Sequence, residues 1–339
     1  MNKRVIYIQC YPPHFHYVKN LLEGLHTHAT DLDDIDIVIV VDMPQDVSNF
    51  LDGEKKRLSK IKNLHVTSLY EIMSRPFSYS FYNETWQEAE FAINQGINGF
   101  GGGHWGSADT PVRKWMNIKR TYGIMECERR GYEHVWCLDA ESFPLTNFSV
   151  KDVFSYSEKN NLLSVFETGG FNDPRIVKDL LKIDDEHLDK MLKVGVRIND
   201  FWLINLQYFR NMIQEMTNLH RKPVSYFMLG CEQSLWELWL YHKHLTKSLD
   251  LEVLSFTDKD FEGVCEIPHY GYDVWCSLHW LFNDVANNPN VDNKVFAERI
   301  QEYYFDKVKC YRGDLIKSGP SDLLQHIHVK MAVSNWQGN

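Results

Sequence analysis

The sequence predicts an α/β fold of the Rossmann-related kind, a mixed and mostly parallel sheet flanked by helices. Three observations predict it. Apolar runs of strand length alternate with segments whose apolar residues recur at helical spacing. The runs are nearly continuous, as in strands covered on both faces. The chain has 339 residues with 44% hydrophobic and 14% aromatic content, enough to bury the large core such a sheet requires.

Taken in order, Arg4–Tyr11 (RVIYIQCY) is β-rich, Phe15–Ala29 has helical apolar spacing, and Ile35–Asp42 (IDIVIVVD) is an almost unbroken apolar run. Asp46–Ile61 reads as helix, Asn63–Tyr70 as strand, Arg113–Arg130 as a helix closed by Gly131, and His134–Asp139 as strand. A helix-like VKDVFSYSEK and a strand-like NNLLSVFE follow, then a charged amphipathic helix at Asp184–Lys193 that reads as a solvated face. Strands alternating with helices imply βαβ units, and such sheets bind ligands at the carboxyl ends of their strands. Phe77–Pro111, which contains NQGINGFGGGHWGSADTP, is the irregular stretch. Its glycines suit either a mobile loop over a site or a surface excursion. No internal repeat or low-complexity linker divides the chain, so residues 1–339 read as one domain.

Composition excludes several classes. A formal charge of −10 argues against a nucleic-acid partner, which calls for a basic face toward phosphates. Seven cysteines, at 10, 127, 137, 231, 265, 276 and 310, form no CxxC and leave one over. That suits neither a disulfide framework nor a zinc ribbon, and fits a reducing, cytoplasmic setting. The opening MNKRVIYIQCYPP has too short an apolar run for a signal peptide, and no stretch approaches the roughly 18–20 apolar residues of a membrane span. The chain reads as soluble.

One stretch carries chemistry. VWCLDAESFPL, at 135–145, ends a buried-type strand on two acids, Asp139 and Glu141. In extended chain, side chains at i and i+2 point the same way, and crowded carboxylates repel unless a cation sits between them. Oxygen ligands with room for water and phosphates suit a hard divalent ion, Mg²⁺ or Mn²⁺. The competing reading is a pair of solvated loop acids. Arg113, Lys114 and Lys119 lie near the start of the helix that precedes this strand. Basic residues there oppose the helix dipole, which an anionic partner relieves; a solvated helix face is the alternative.

LDAE at 138–141 resembles the D-x-D-type metal motif of nucleotide-sugar-dependent glycosyltransferases with the GT-A fold. Three further segments resemble elements of glycogenin-like and related transferases and follow in the same order: FWLINLQYFRN at 201–211, CEQSLWELW at 231–239 and HIHVKMAVSNW at 326–336. The second acid is Glu where the family motif has Asp, and the last segment lacks the family's glycine and proline. The resemblance implies a GT-A-like fold, with a nucleotide-sugar-binding half at 1–145 and an acceptor-binding half at 146–339 that ends in a C-terminal extension. It implies a metal held by Asp139, Glu141 and one of His326 and His328, with Lys330 on the diphosphate. Arg113 or Lys114 becomes a donor contact, and Gln9, Tyr11 and Pro12 occupy the nucleobase end of the first strand, where Tyr11 could stack on the base or simply be core. The 201–211 segment would line the acceptor side. Glu232 is either the general base of an inverting transfer or, with Gln233, a group that orients substrate hydroxyls in a retaining one; an ordinary first-turn acid is the third reading.

The expected function is a metal-dependent transfer of a sugar from a nucleotide-diphosphate donor to a saccharide or glycolipid acceptor. Two alternatives stand beside it. A sugar nucleotidyltransferase would carry a glycine-rich, Arg-containing phosphate loop after the first strand, and YIQCYPPHFH lacks one. A non-catalytic carbohydrate-binding protein would not need the acid pair and the terminal His. The aromatic stretches SLWELWLYHKHL and YGYDVWCSLHWLF read as core, as a sugar-stacking wall that includes Trp275 and Trp280, or as a shallow patch for peripheral membrane association.

Overall fold

The computed structural model describes residues 3–10, 12, 15–58, 61–79, 111–140, 142–144, 149–159, 163–166, 178, 181–192, 195–196, 202–220, 236, 238–251, 253–256 and 328–330, and for some of these, 111–117, 139, 142–144 and 328–330 among them, it describes the backbone alone. The first half of the chain gives β1 (Arg4–Gln9), α1 (Phe15–His28), β2 (Asp36–Val41), α2 (Pro44–Leu58), β3 (Leu64–Ser68), α3 (Leu69–Met73), α4 (Pro111–Arg129) and β4 (His134–Asp139). The second gives β5 (Ser142–Pro144), α5 (Val150–Lys159), β6 (Leu163–Phe166), α6 (Asp185–Leu192), β7 (Gly195–Val196), β8 (Trp202–Asn205), α7 (Leu206–His220), β9 (Val253–Phe256) and β10 (His328–Lys330).

The central sheet has the order β3-β2-β1-β4-β8. β1 pairs in parallel with β2 and β4, β2 pairs in parallel with β3, and β8 runs antiparallel along β4. This is the mostly parallel α/β architecture that the sequence predicts. The unbroken apolar runs explain it: Val5–Ile8 and Ile37–Val41 are fully buried, so both sheet faces are covered. Two small sheets, β7-β6-β9 and β10-β5, complete the described pairings.

α4 packs on β1 through a close approach. The Tyr7 hydroxyl donates to the Lys119 carbonyl at 2.8 Å, and a Cβ at Gly123 would overlap the Tyr7 ring. The helix ends where the sequence predicts. Gly131 takes φ 91°, its N–H donates to the Glu128 carbonyl at 2.8 Å, and the Tyr132 N–H donates to the Cys127 carbonyl at 3.2 Å, the Schellman arrangement that satisfies the last carbonyls of a helix.

Three boundaries or faces differ from expectation. β3 stops at Ser68 rather than Tyr70, because Ser68 and Glu71 form a capping box that starts α3. α4 begins at Pro111, where the fixed φ of proline suits the first helical turn. α6 is not wholly solvated, since Leu188 and Met191 are buried. The SLWELWLYHKHL stretch resolves as core: Trp236 and Trp239 stack at 6.0 Å, Trp236 meets Phe209 of α7 at 5.9 Å, and the Trp239 indole N–H donates to Glu215 at 2.9 Å. Among the described residues no helix is long and apolar enough to cross a membrane.

Gly123→Ala is expected to destabilise the fold by about 1–3 kcal/mol, the ordinary cost of overpacking, read as a lower urea midpoint. In a Tyr7→Ala background the same substitution should cost much less. Equal costs in both backgrounds would show that the ring is not what the glycine accommodates.

Candidate functional site

The chain adds β2 and β3 on one side of β1 and then places β4 on the other. In open parallel sheets that reversal leaves a crevice beyond the carboxyl ends of the two diverging strands. Here those ends are Gln9 and Asp139, which are direct partners in the β1–β4 register. Asp139 is the last residue of β4, so the acid that ends the VWCLD run stands at the switch point. Glu141 lies outside the described residues.

The chain next forms β5, and β10 pairs with it antiparallel, His328 opposite Pro144 and Lys330 opposite Ser142. A segment from near the end of the sequence therefore lies alongside the residues that immediately follow the acidic motif. α4 leads into β4 and runs back against the sheet, so its first turn lies at the carboxyl edge. Lys119 fixes that placement, and Arg113 and Lys114 sit about 8 Å farther out along the helix, at 1.5 Å per residue. Tyr11, Glu232, Gln233, His326, Trp275 and Trp280 lie outside the described residues, as does the glycine-rich part of 77–111.

Lys119 itself has a different role from the one expected. Its ammonium is buried and donates to the Cys10 carbonyl at 2.6 Å and to Asp42 at 2.5 Å. Its side chain is 2% exposed and that of Asp42 37%. It braces the ends of β1 and β2 rather than presenting a charge to ligand. Burial pushes the Cys10 thiol beside it up to about 12. Gln9 is also buried, and its Oε1 has no hydrogen-bond partner among the described residues. A buried amide oxygen without a donor is uncommon, and this one occurs at the switch point.

The 201–211 segment divides between the two edges. Trp202 opposes Cys137 toward the carboxyl end of β4, but Asn205 opposes His134 at the amino end. There the Asn205 side chain accepts from the Gln207 and Tyr208 N–H groups at 3.0 and 3.3 Å and caps α7. Only the start of this segment comes near the crevice, because an antiparallel strand carries the chain away from the edge it arrives at. The Lys119–Asp42 brace could have been noticed from one signal: Asp42 ends the IVIVV run as Asp139 ends VWCL, two parallel strands each finishing on an acid.

Among the described residues no three His, Cys, Asp or Glu side chains come together as a metal site; of the proposed ligands, Asp139 and His328 are described as backbone. The donor types suit a hard divalent ion, with carboxylate oxygens and one imidazole, and the β10–β5 pairing brings the backbone of the terminal element to the acidic motif.

No family model matches the sequence and no curated protein is similar to it. Solved structures are similar in overall shape. Core-mannan synthase A of Aspergillus fumigatus in its Mn/GDP form shows 13% identity over 76% of this chain and 73% of its own, with a TM-score of 0.44. Mouse xyloside xylosyltransferase 1 shows 10% identity over 74% and 84%, with a TM-score of 0.40. A 1–349 fragment of S. aureus TarS shows 12% identity over 94% and 81%, with a TM-score of 0.35. Likeness at these levels bears on neither substrate nor mechanism.

Lys119→Met is expected to cost about 2 kcal/mol by stranding the Cys10 carbonyl, seen as a lower urea midpoint at unchanged slope. Wild-type stability would mean that the brace contributes nothing.

Proposed function

We propose that this protein is a glycosyltransferase that moves a sugar from a nucleotide-diphosphate donor to a saccharide acceptor at the crevice between β1 and β4. The observation that carries the reading is the pairing of β10 with β5, which sets the backbone of His328–Lys330 opposite Ser142–Pro144, directly after the acidic motif. In this reading acids, an imidazole and an ammonium meet at the switch point, a set that would suit a diphosphate leaving group better than any neutral ligand.

In this reading Asp139, Glu141 and either His326 or His328 hold a Mn²⁺ or Mg²⁺ ion. Bound there, the ion would supply charge neutralisation for the departing diphosphate. Lys330 holds a phosphate oxygen as a point charge, and Arg113 or Lys114 contributes from the first turn of α4, whose dipole favours an anion. Gln9 accepts an N–H or O–H of the nucleoside at its unpartnered Oε1, with Tyr11 beside it. Glu232 takes the proton of the acceptor hydroxyl if transfer inverts the anomeric centre, and with Gln233 orients hydroxyls if it retains it.

The test is thermal stability with a panel of nucleoside diphosphates, with and without Mn²⁺. One nucleotide is expected to raise the melting temperature, and more so with the metal, because a ligand of the folded state stabilises it by mass action. Asp139→Asn should abolish the metal-dependent increment and leave the unliganded melting temperature near wild type. Lys330→Ala should weaken nucleotide binding without changing the metal requirement. If no nucleotide stabilises the protein, the reading fails.

A second prediction concerns Glu232. As general base, its replacement in Glu232→Gln should lower kcat by about 10²–10⁴ with nucleotide affinity unchanged. Retention of the donor's anomeric configuration in the product, read by NMR, would instead leave Glu232 as an orienting group.

A further inference from the structure

A cavity lies at the edge of the sheet opposite the crevice. It has a volume of about 480 Å³ and opens between Tyr79, the last turns of α4, the turn into β4 and the junction of β8 with α7. His134 lines it at the amino end of β4, five residues from Asp139 and so about 17 Å from the switch point. Small-molecule sites span about 300–1,000 Å³, so the volume suffices for a ligand of its own.

The lining has a definite chemistry. The lining holds two arginines, Arg129 and Arg210, and two glutamates, Glu128 and Glu133, so the wall carries no net charge and favours neither polyanion nor polycation. Arg210 donates to the Tyr79 hydroxyl at 2.7 Å and to Glu128 at 2.6 Å, both from Nη1, and its guanidinium lies 4.9 Å from the Tyr79 ring centroid. Among the described residues this leaves the Nε and Nη2 donors of a rigidly held fork unspent. Gln207, exposed in the first turn of α7, adds an amide that both donates and accepts. Tyr79 is 36% exposed and supplies an apolar ring. Planar donors and acceptors of balanced charge beside an aromatic ring match vicinal hydroxyls, each of which donates and accepts, on a sugar with an apolar C–H face.

We infer that this cavity is a binding site for a neutral hexose chain, separate from the crevice at the carboxyl edge. It does not rest on the proposed transfer, since a protein without that activity could still hold a sugar here.

Methyl-labelled methionine gives two reporters. Met125 lines the cavity and Met43 follows β2 at the carboxyl edge. The full chain, without nucleotide, is titrated with maltohexaose, cellohexaose and mannohexaose to millimolar concentration. At least one is expected to shift the Met125 methyl resonance and leave Met43 unmoved. Gln207→Trp, which fills the mouth from an exposed position, should weaken that response by about tenfold or more. Arg210→Lys, which keeps the charge and removes the fork, should weaken it too. The inference is overturned if no sugar moves Met125, if both variants respond as wild type, or if Met43 shifts in place of Met125. Because no nucleotide is present, the Met125 response is read apart from nucleotide binding at the crevice.

Discussion

A single ammonium inside the protein fixes the geometry on which the rest depends. Lys119 is buried from α4 and binds the Cys10 carbonyl just past β1 and the Asp42 carboxylate just past β2. Removing a charge from water is costly, and here the cost is offset by two short bonds to strand ends that the sheet already holds in register. The consequence is mechanical. With Tyr7 seated against Gly123 on the same helix, α4 can neither slide along the sheet nor rotate upon it. Its first turn is therefore held at the carboxyl edge, and its last turn delivers the chain through Gly131 into β4.

That chain of constraints accounts for the register of β4 against β1. Arg4 through Gln9 pair one to one with His134 through Asp139, so both strands finish at the same height. Gln9, buried with an unpartnered oxygen, and Asp139, the last residue of its strand, come out side by side. The opposite edge is organised by the same strand from its other end, where His134, the Asn205 cap and Arg210 surround the cavity there. One strand thus ends on an acid at the carboxyl edge and borders, at its amino end, a cavity balanced in charge.

Much of this was legible in residue order. The apolar runs of β1, β2 and β4 announce strands covered on both faces, and Gly131 announces the end of α4. The acid that ends VWCLD marks a carboxyl edge because parallel sheets expose function there. What was not legible depends on neighbours distant in sequence. Lys119 reads as one more cation on a helix until Cys10 and Asp42 are known to lie beneath it. Where the acceptor-side segment at 201–211 leads is not legible either, because order along the chain does not reveal that β8 runs antiparallel and carries Asn205–Arg210 to the other edge. β3 ends for a local reason: at 66–70 the Ser-x-x-Glu capping signal of Ser68 and Glu71 prevails over β-rich residues.

The β10–β5 ladder is three residues long on each side, and its strands are separated by more of the chain than those of any other described pairing. Closing so long a loop costs entropy that three residue pairs recover poorly. The five-stranded sheet meets a comparable closure between β1 and β4 with a ladder of six residue pairs, and so recovers it better. The two assemblies are therefore energetically distinct events. The central scaffold draws none of its pairings from the terminal strand, so any contact that bridges β5 and β10 adds directly to the joining of the chain's remote segments.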